Sequence, residues 1–227
     1  MAPETLILSQ WYAERGDRSL TKMLPDWYYK AWREALRKYF PGWPILIIHN
    51  GGPTDPPYGP GVTIEPAVEM MPHGRGTHGH FANCWRSMAH GIERAMELYG
   101  KDVQIFFVGQ NLIVGSEDVR KDLANALEYT PVAMNLGCIR PSWAFTEYLG
   151  VCAGDVVAAG LTSKRLESSL LLEQAVPEWC GELGLSWTPI PSMKNERDRP
   201  FRSWFTYLFH NDPKTAEVFC RDRGLLK

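Results

Sequence analysis

The sequence predicts an α/β fold built on a central, mostly parallel sheet flanked by helices. Three observations carry that expectation. Val103-Gln104-Ile105-Phe106-Phe107-Val108 is a short β-branched and aromatic run, too short for a typical globular helix. Before it, Trp85, Met88, Ala89, Ile92, Ala95, Met96 and Tyr99 fall close to helical spacing. After it, Val119, Leu123, Ala126 and Leu127 form a second apolar stripe, which Ser116 can cap. Helix, buried strand and helix in that order are the core unit of a parallel sheet covered on both faces. Ligands in such sheets sit beyond the carboxyl ends of the strands. Here that end is the polar turn Gly109-Gln110-Asn111.

From the amino terminus, Leu6-Ile7-Leu8 is a minimal strand running into Ser9-Gln10-Trp11-Tyr12. Asp26 is placed to cap a helix over Trp27 to Phe40, where Tyr28, Trp32, Ala35, Leu36 and Tyr39 make one apolar face. Pro41-Gly42-Trp43-Pro44 stops that helix, and Ile45-Leu46-Ile47-Ile48 reads as a fully buried strand. Asn50-Gly51-Gly52 follows as a turn whose glycines permit close approach to a ligand, with Asn50 and Gly51 the candidate contacts. After a Pro/Gly-rich loop, strand character resumes at Val62 to Glu65. The alternation of strand, helix, strand, loop, strand, helix, strand points to a nucleotide-binding unit over approximately residues 1–130 of a single domain, 1–227. The remainder, 131–227, is less regular and is read as the acceptor-binding half. It holds a strand at Val132 to Asn135, a short helix from Ser142 through Leu149, and an apolar run from Asp155 to Ala159. A helix over Leu166 to Leu183, broken or kinked at Pro177, and a closing helix from Pro213 complete it.

Composition excludes several function classes. A formal net charge of −2 gives no overall attraction to nucleic acid or to an anionic membrane. No apolar run approaches the roughly 20 residues that span a bilayer, and no signal peptide is expected at the amino terminus. Cys84, Cys138, Cys152, Cys180 and Cys220 are scattered, without a Cys-x-x-Cys pair, so the expected setting is the reducing cytoplasm. Nine tryptophans are the compositional oddity. Most belong in a core rich in large rings, with one or two free to face a sugar or a base.

Gly91-Ile92-Glu93-Arg94-Ala95, preceded by the glycine-containing segment Thr77 to Asn83 and followed by the strand Ile105 to Val108, carries a resemblance. Over roughly residues 45 to 115 the chain resembles the donor-binding half of GT-A glycosyltransferases. The resemblance implies a GT-A-like, Rossmann-related sheet and a nucleotide-sugar donor, a UDP-sugar foremost. It also implies a divalent manganese or magnesium ion held by an Asp-x-Asp triplet at the strand end. Gly109-Gln110-Asn111 stands at that position and supplies no carboxylate, the ligand such hard cations favour. Gln110 and Asn111 then contact a sugar hydroxyl or complete a weak coordination shell. Ser9, Gln10 and Trp11 fall where the family contacts the base, with Trp11 or Tyr12 able to stack on uracil. Glu173 falls where the family carries the base that deprotonates the acceptor. His210 resembles the family's late histidine near metal or diphosphate, so Asn111 and His210 are the candidate metal ligands.

The segment His73 to His80 has its own chemistry. Arg75 offers a planar, multidentate charge to phosphate, and His78 or His80 can add a donor in place of the missing metal. On an extended strand His78 and His80 would point the same way, and with His73 they make a candidate zinc site. That supports a rival reading, a metal-dependent hydrolase using Asp55 or Glu65 as the carboxylate. A noncatalytic protein with an aromatic partner surface is the third. For a glycosyltransferase, Trp143 and Trp204 are candidate acceptor platforms, and the acceptor itself is a glycan, a protein hydroxyl or a hydroxylated DNA base. A DNA acceptor would require a local basic groove, which the charge balance does not indicate.

Overall fold

A computed structural model of the chain describes residues 5–11, 27–50, 56, 58–67, 77–109, 112–136, 144–166, 172–190, 205–207 and 213–227. Of these, residues 77–83, 135–136, 144–148, 173, 205–207, 213 and 215 are described by backbone alone. The strands are β1 (Thr5–Trp11), β2 (Ile45–His49), β3 (Val62–Pro66), β4 (Gln104–Val108), β5 (Leu112–Val114), β6 (Val132–Leu136), β7 (Ala144–Cys152), β8 (Trp187–Ile190) and β9 (Phe205–Tyr207). The helices are α1 (Trp27–Tyr39), α2 (Thr77–Tyr99), α3 (Asp118–Leu127), α4 (Ala153–Ala158), α5 (Leu172–Glu182) and α6 (Pro213–Asp222).

Seven strands form one sheet in the order β3-β2-β1-β4-β7-β6-β8. All its pairings are parallel except those of β7, which runs antiparallel to both β4 and β6. β5 and β9 form a separate antiparallel ribbon. From β1 the chain moves outward through β2 and β3, then returns to lay β4 against the other side of β1. The strand order therefore reverses between β1 and β4, which makes the carboxyl ends of that pair the topological switch point.

The period-2 alternation of β1 sorts the core into two layers. Ile7 and Trp11 join α1, α3, α6 and β5 on one face. Leu6 and Leu8 join α2, α4 and α5 on the other. Both apolar stripes that flank β4 in sequence are buried as expected, one on each face. Ser116 Oγ accepts the Asp118 N–H at 3.2 Å, while the N-cap position of α3 is Glu117, which makes no side-chain cap bond.

Three expectations are corrected. Residues 144–149, expected within a helix, belong to the nine-residue strand β7. The run is too short for periodicity to distinguish the two, and its partner β4 lies forty or more residues back in sequence. Gly150 also admits α3 closely: a Cβ there would come within 2.9 Å of Leu123 Cδ2. α2 begins at Thr77, so His78 and His80 are helical and not on an extended strand. Finally, α5 continues through Pro177, and begins at Leu172 rather than Leu166.

Candidate functional site

The carboxyl edge of the sheet is assembled from the ends of β1, β2 and β4. At β1, Gln10 lies on the α2 face and its Nε2 donates to the Cys84 carbonyl at 2.7 Å. At β2, the Asn50 N–H donates to the Trp11 carbonyl at 2.9 Å, and the Ala67 N–H to the His49 carbonyl at 3.0 Å. The Ser87 hydroxyl donates to Asn50 Oδ1 at 2.5 Å. These bonds align the ends of β1 and β2 and tie both to α2.

Gly91 sets how closely α2 lies on them. A Cβ at Gly91 would stand 2.6 Å from Leu8 Cδ1 and 3.0 Å from Ile48 Cγ1, so a larger residue there must displace the Leu8 side chain or the helix. The residue that carried the family resemblance is thus a packing residue. Because Gln10 meets Cys84 while Leu8 meets Gly91, α2 runs antiparallel to the strands and projects past their carboxyl ends. The seven residues 77–83 beyond Cys84 make an overhang of about 10 Å. His78 and His80 lie on it. Their backbone is helical, so the extended strand on which a shared direction was expected is absent.

At β4, Val108 is buried and the strand leaves the sheet at Gly109. The Gly109 carbonyl accepts from Trp32 Nε1 at 3.3 Å and from the Leu112 N–H at 3.1 Å. The chain turns directly into β5, whose three residues are fully buried. β5 pairs with β9 in the register Leu112↔Tyr207.

The donor set here does not fit a hard divalent cation. Both lone pairs of the Gly109 carbonyl are occupied, and Gln110 and Asn111 bring only neutral amides. Among the described residues, no group of three or more His, Cys, Asp or Glu side chains gathers to hold one.

Of the expected site residues, Asn50 and Gln10 come together at this edge. Ser9 lies beneath it and is 1% exposed, its Oγ 3.5 Å from the Gln10 carbonyl. Trp11 is corrected. It is 1% exposed and packs on Tyr29 with ring centroids 4.3 Å apart, so its indole fills the core and offers no face to a base. Glu173 stands in the first turn of α5, described by backbone alone. Gly51, Arg75, Gln110, Asn111 and His210 lie outside the described residues, as do Tyr12, Asp55, His73, Trp143 and Trp204. Glu65, the carboxylate of the hydrolase reading, is on β3 and paired with Arg94 at 3.1 Å. Ser87 was missed altogether. The sequence signal for it was its place at i+3 from Cys84 and i−4 from Gly91, on the helix face that meets the strand ends.

A cavity of about 560 Å³ opens at the opposite end of the sheet, between Lys101, Asp102, Gln104, Cys152 and Asp155. It surrounds the amino end of β4, away from the switch point.

Solved structures share this architecture. A glycosyltransferase involved in glycosylating the major capsid of PBCV-1 is 11% identical, with 95% of this chain and 100% of that one covered and a TM-score of 0.57. A 4-diphosphocytidyl-2C-methyl-D-erythritol synthase is 12% identical, with 100% of both chains covered and a TM-score of 0.54. The galactosyltransferase LgtC, solved with donor and acceptor sugar analogues, is 9% identical, with 97% and 96% covered and a TM-score of 0.53. The fold is GT-A-like. At these identities the likeness establishes the fold alone. No family model matches the sequence, and no curated protein does.

Proposed function

We propose that this chain is a transferase acting on a nucleotide-sugar, moving the sugar, from a UDP-sugar foremost, to an acceptor hydroxyl. The observation that carries the reading is the switch point between β1 and β4, edged by the polar ends of β1 and β2 and overhung by α2. Nucleotides bind at such crevices in open α/β sheets. Likeness across nearly the whole chain to proteins named as glycosyltransferases supports the same reading. In it, approximately residues 1–130 hold the nucleotide and 131–227 the acceptor.

The acceptor oxygen attacks the anomeric carbon as the bond from that carbon to the diphosphate oxygen breaks, and the electron pair leaves on the nucleoside diphosphate. Glu173 takes the hydroxyl proton if the reaction inverts, a role that partial desolvation of a carboxylate favours. Its position on a helix packed against β7 supports that placement. Without an acidic triplet, the charge on the leaving diphosphate falls to Arg75, His78 and His210, with Gln110, Asn111, Asn50 and Gly51 supplying neutral contacts.

The experiment is a thermal-shift screen against nucleotide-sugars, followed by transfer assays with the best donor. A bound donor raises the unfolding temperature by mass action. Glu173→Gln is expected to lose about 10²–10⁴-fold in turnover with donor binding retained. Normal turnover by that variant removes Glu173 from the mechanism. A second reading, nucleotidyl transfer to a sugar phosphate, is favoured by the likeness to the cytidylyl-product synthase. Pyrophosphate release from a nucleoside triphosphate and a sugar phosphate would select it.

A further inference from the structure

We propose that Ser87 is a positioning residue that locks the Asn50 carboxamide with its NH2 group turned to the crevice, making Asn50 a dedicated hydrogen-bond donor to an oxygen of the nucleotide. The inference rests on the function proposed above and deepens it by assigning the polarity of one contact.

Asn50 closes β2 on the α2 face of the sheet. Its side chain could present either end, since a carboxamide carries an acceptor oxygen and a donor nitrogen. In the structure the Ser87 Oγ donates to Oδ1 at 2.5 Å. Oxygen–oxygen hydrogen bonds commonly fall at about 2.5–3.0 Å. With the Ser87 hydroxyl on Oδ1, Nδ2 faces away from α2.

The pair is held rigidly. Ser87 is 6% exposed and Asn50 7% exposed. The Asn50 backbone is fixed to the Trp11 carbonyl, and α2 is set against Leu8 and Ile48 by Gly91. No hydrogen bond among the described residues uses the two Nδ2 protons. Among the described residues the buried side-chain atoms without a partner are Tyr29 Oη and Arg33 Nε, so Nδ2 reaches solvent at the strand ends and can donate to an acceptor there. The complementary ligand atom is an oxygen acceptor, which a nucleoside diphosphate offers both as a base carbonyl and as phosphoryl oxygens.

The test compares the wild-type chain with Asn50→Asp, Ser87→Ala and Ser87→Thr, titrated calorimetrically with UDP, uridine and pyrophosphate. Asn50→Asp keeps the shape and the Ser87 bond but removes both donors and adds a negative charge. Its affinity for UDP is expected to fall about 100-fold. Ser87→Ala frees the amide to turn over and is expected to cost about 5–10-fold, with the fold intact because alanine suits a mid-helix site. Ser87→Thr keeps the hydroxyl and restores most of that loss, which a purely steric role would not. If Asn50→Asp weakens uridine as much as UDP, the partner is a base carbonyl. If it weakens only UDP and pyrophosphate, the partner is phosphoryl oxygen. Wild-type binding with Asn50→Asp and Ser87→Ala unchanged overturns this assignment and leaves the nucleotide-sugar reading standing. Failure of the wild-type chain to bind any of the three overturns that reading and this inference with it.

Discussion

The two walls of the crevice are built by different means. The ends of β1 and β2 are held to α2 by polar bonds, Gln10 to the Cys84 carbonyl and Ser87 to Asn50, over a helix that touches the sheet through a glycine. The end of β4 is held to α1 by rings. Trp32 reaches the Gly109 carbonyl, and behind it Phe40, Trp43 and Phe106 interlock edge to face or tilted. Under the proposed function, the first wall offers the Asn50 carboxamide to a ligand. The second spends its polar group on its own backbone and is otherwise core. Sensitivity to substitution should divide accordingly, binding at the first wall and global stability at the second.

The largest expected effect lies at the aromatic wall. Trp32 is 1% exposed, and Trp32→Ala removes its ring from the core and leaves the Gly109 carbonyl one bond short. A loss of about 3–5 kcal/mol of unfolding free energy is expected, read from urea denaturation. A loss below about 1 kcal/mol would show that the rings are not what anchors β4.

The next effect belongs to the polar wall. Gly91→Ala places a methyl group 2.6 Å from Leu8 Cδ1, forcing α2 off the sheet or Leu8 off its rotamer. Overpacking of this kind costs about 1–3 kcal/mol, and alanine's better helix propensity returns up to about 1 kcal/mol. The net is a moderate loss in stability. Because Gly91 sits one helical turn from Ser87, nucleotide affinity should fall with it. A Gly91→Ala chain as stable as the wild type would break the account of how this wall is set.

How far the sequence revealed these walls follows from how local each signal was. β1, α1, β2, β3 and β4 were legible because their patterns complete themselves within a few residues, whether a β-branched run or an i, i+3, i+4 stripe. β7 was misread because part of its strand character comes from β4, forty or more residues back, and a run of this length fits either period. β5 and β9, three residues each, exist only as a pair more than ninety positions apart, and neither is readable alone. Trp11 was misplaced for an avoidable reason: in a strand it shares a face with Ile7, so period 2 already placed it in the α1 layer. Ser87 and Asn50 are 37 residues apart, and nothing local marks a serine as the partner of an asparagine. Gly91 was noticed for its motif, while its physical role needed Leu8 and Ile48 in place.

The smallest of these effects separates the walls most sharply. Trp32→Phe keeps a ring in the core and removes the indole N–H, leaving the Gly109 carbonyl with the Leu112 bond alone. The expected cost is about 1 kcal/mol, a single net hydrogen bond. Its location tells more than its size. Loss of the indole contact loosens the turn at the end of β4, so the Leu112 amide, which donates to that carbonyl at 3.1 Å, should exchange its hydrogen faster. The Asn50 amide, which donates to the Trp11 carbonyl at 2.9 Å on the other wall, should slow or quicken only as global stability does. Equal acceleration at both amides would mean that the two strand ends open as one unit. Acceleration confined to Leu112 would mean that each wall is anchored to its own helical layer, and that the turn after β4 can rearrange while Asn50 is held by Ser87.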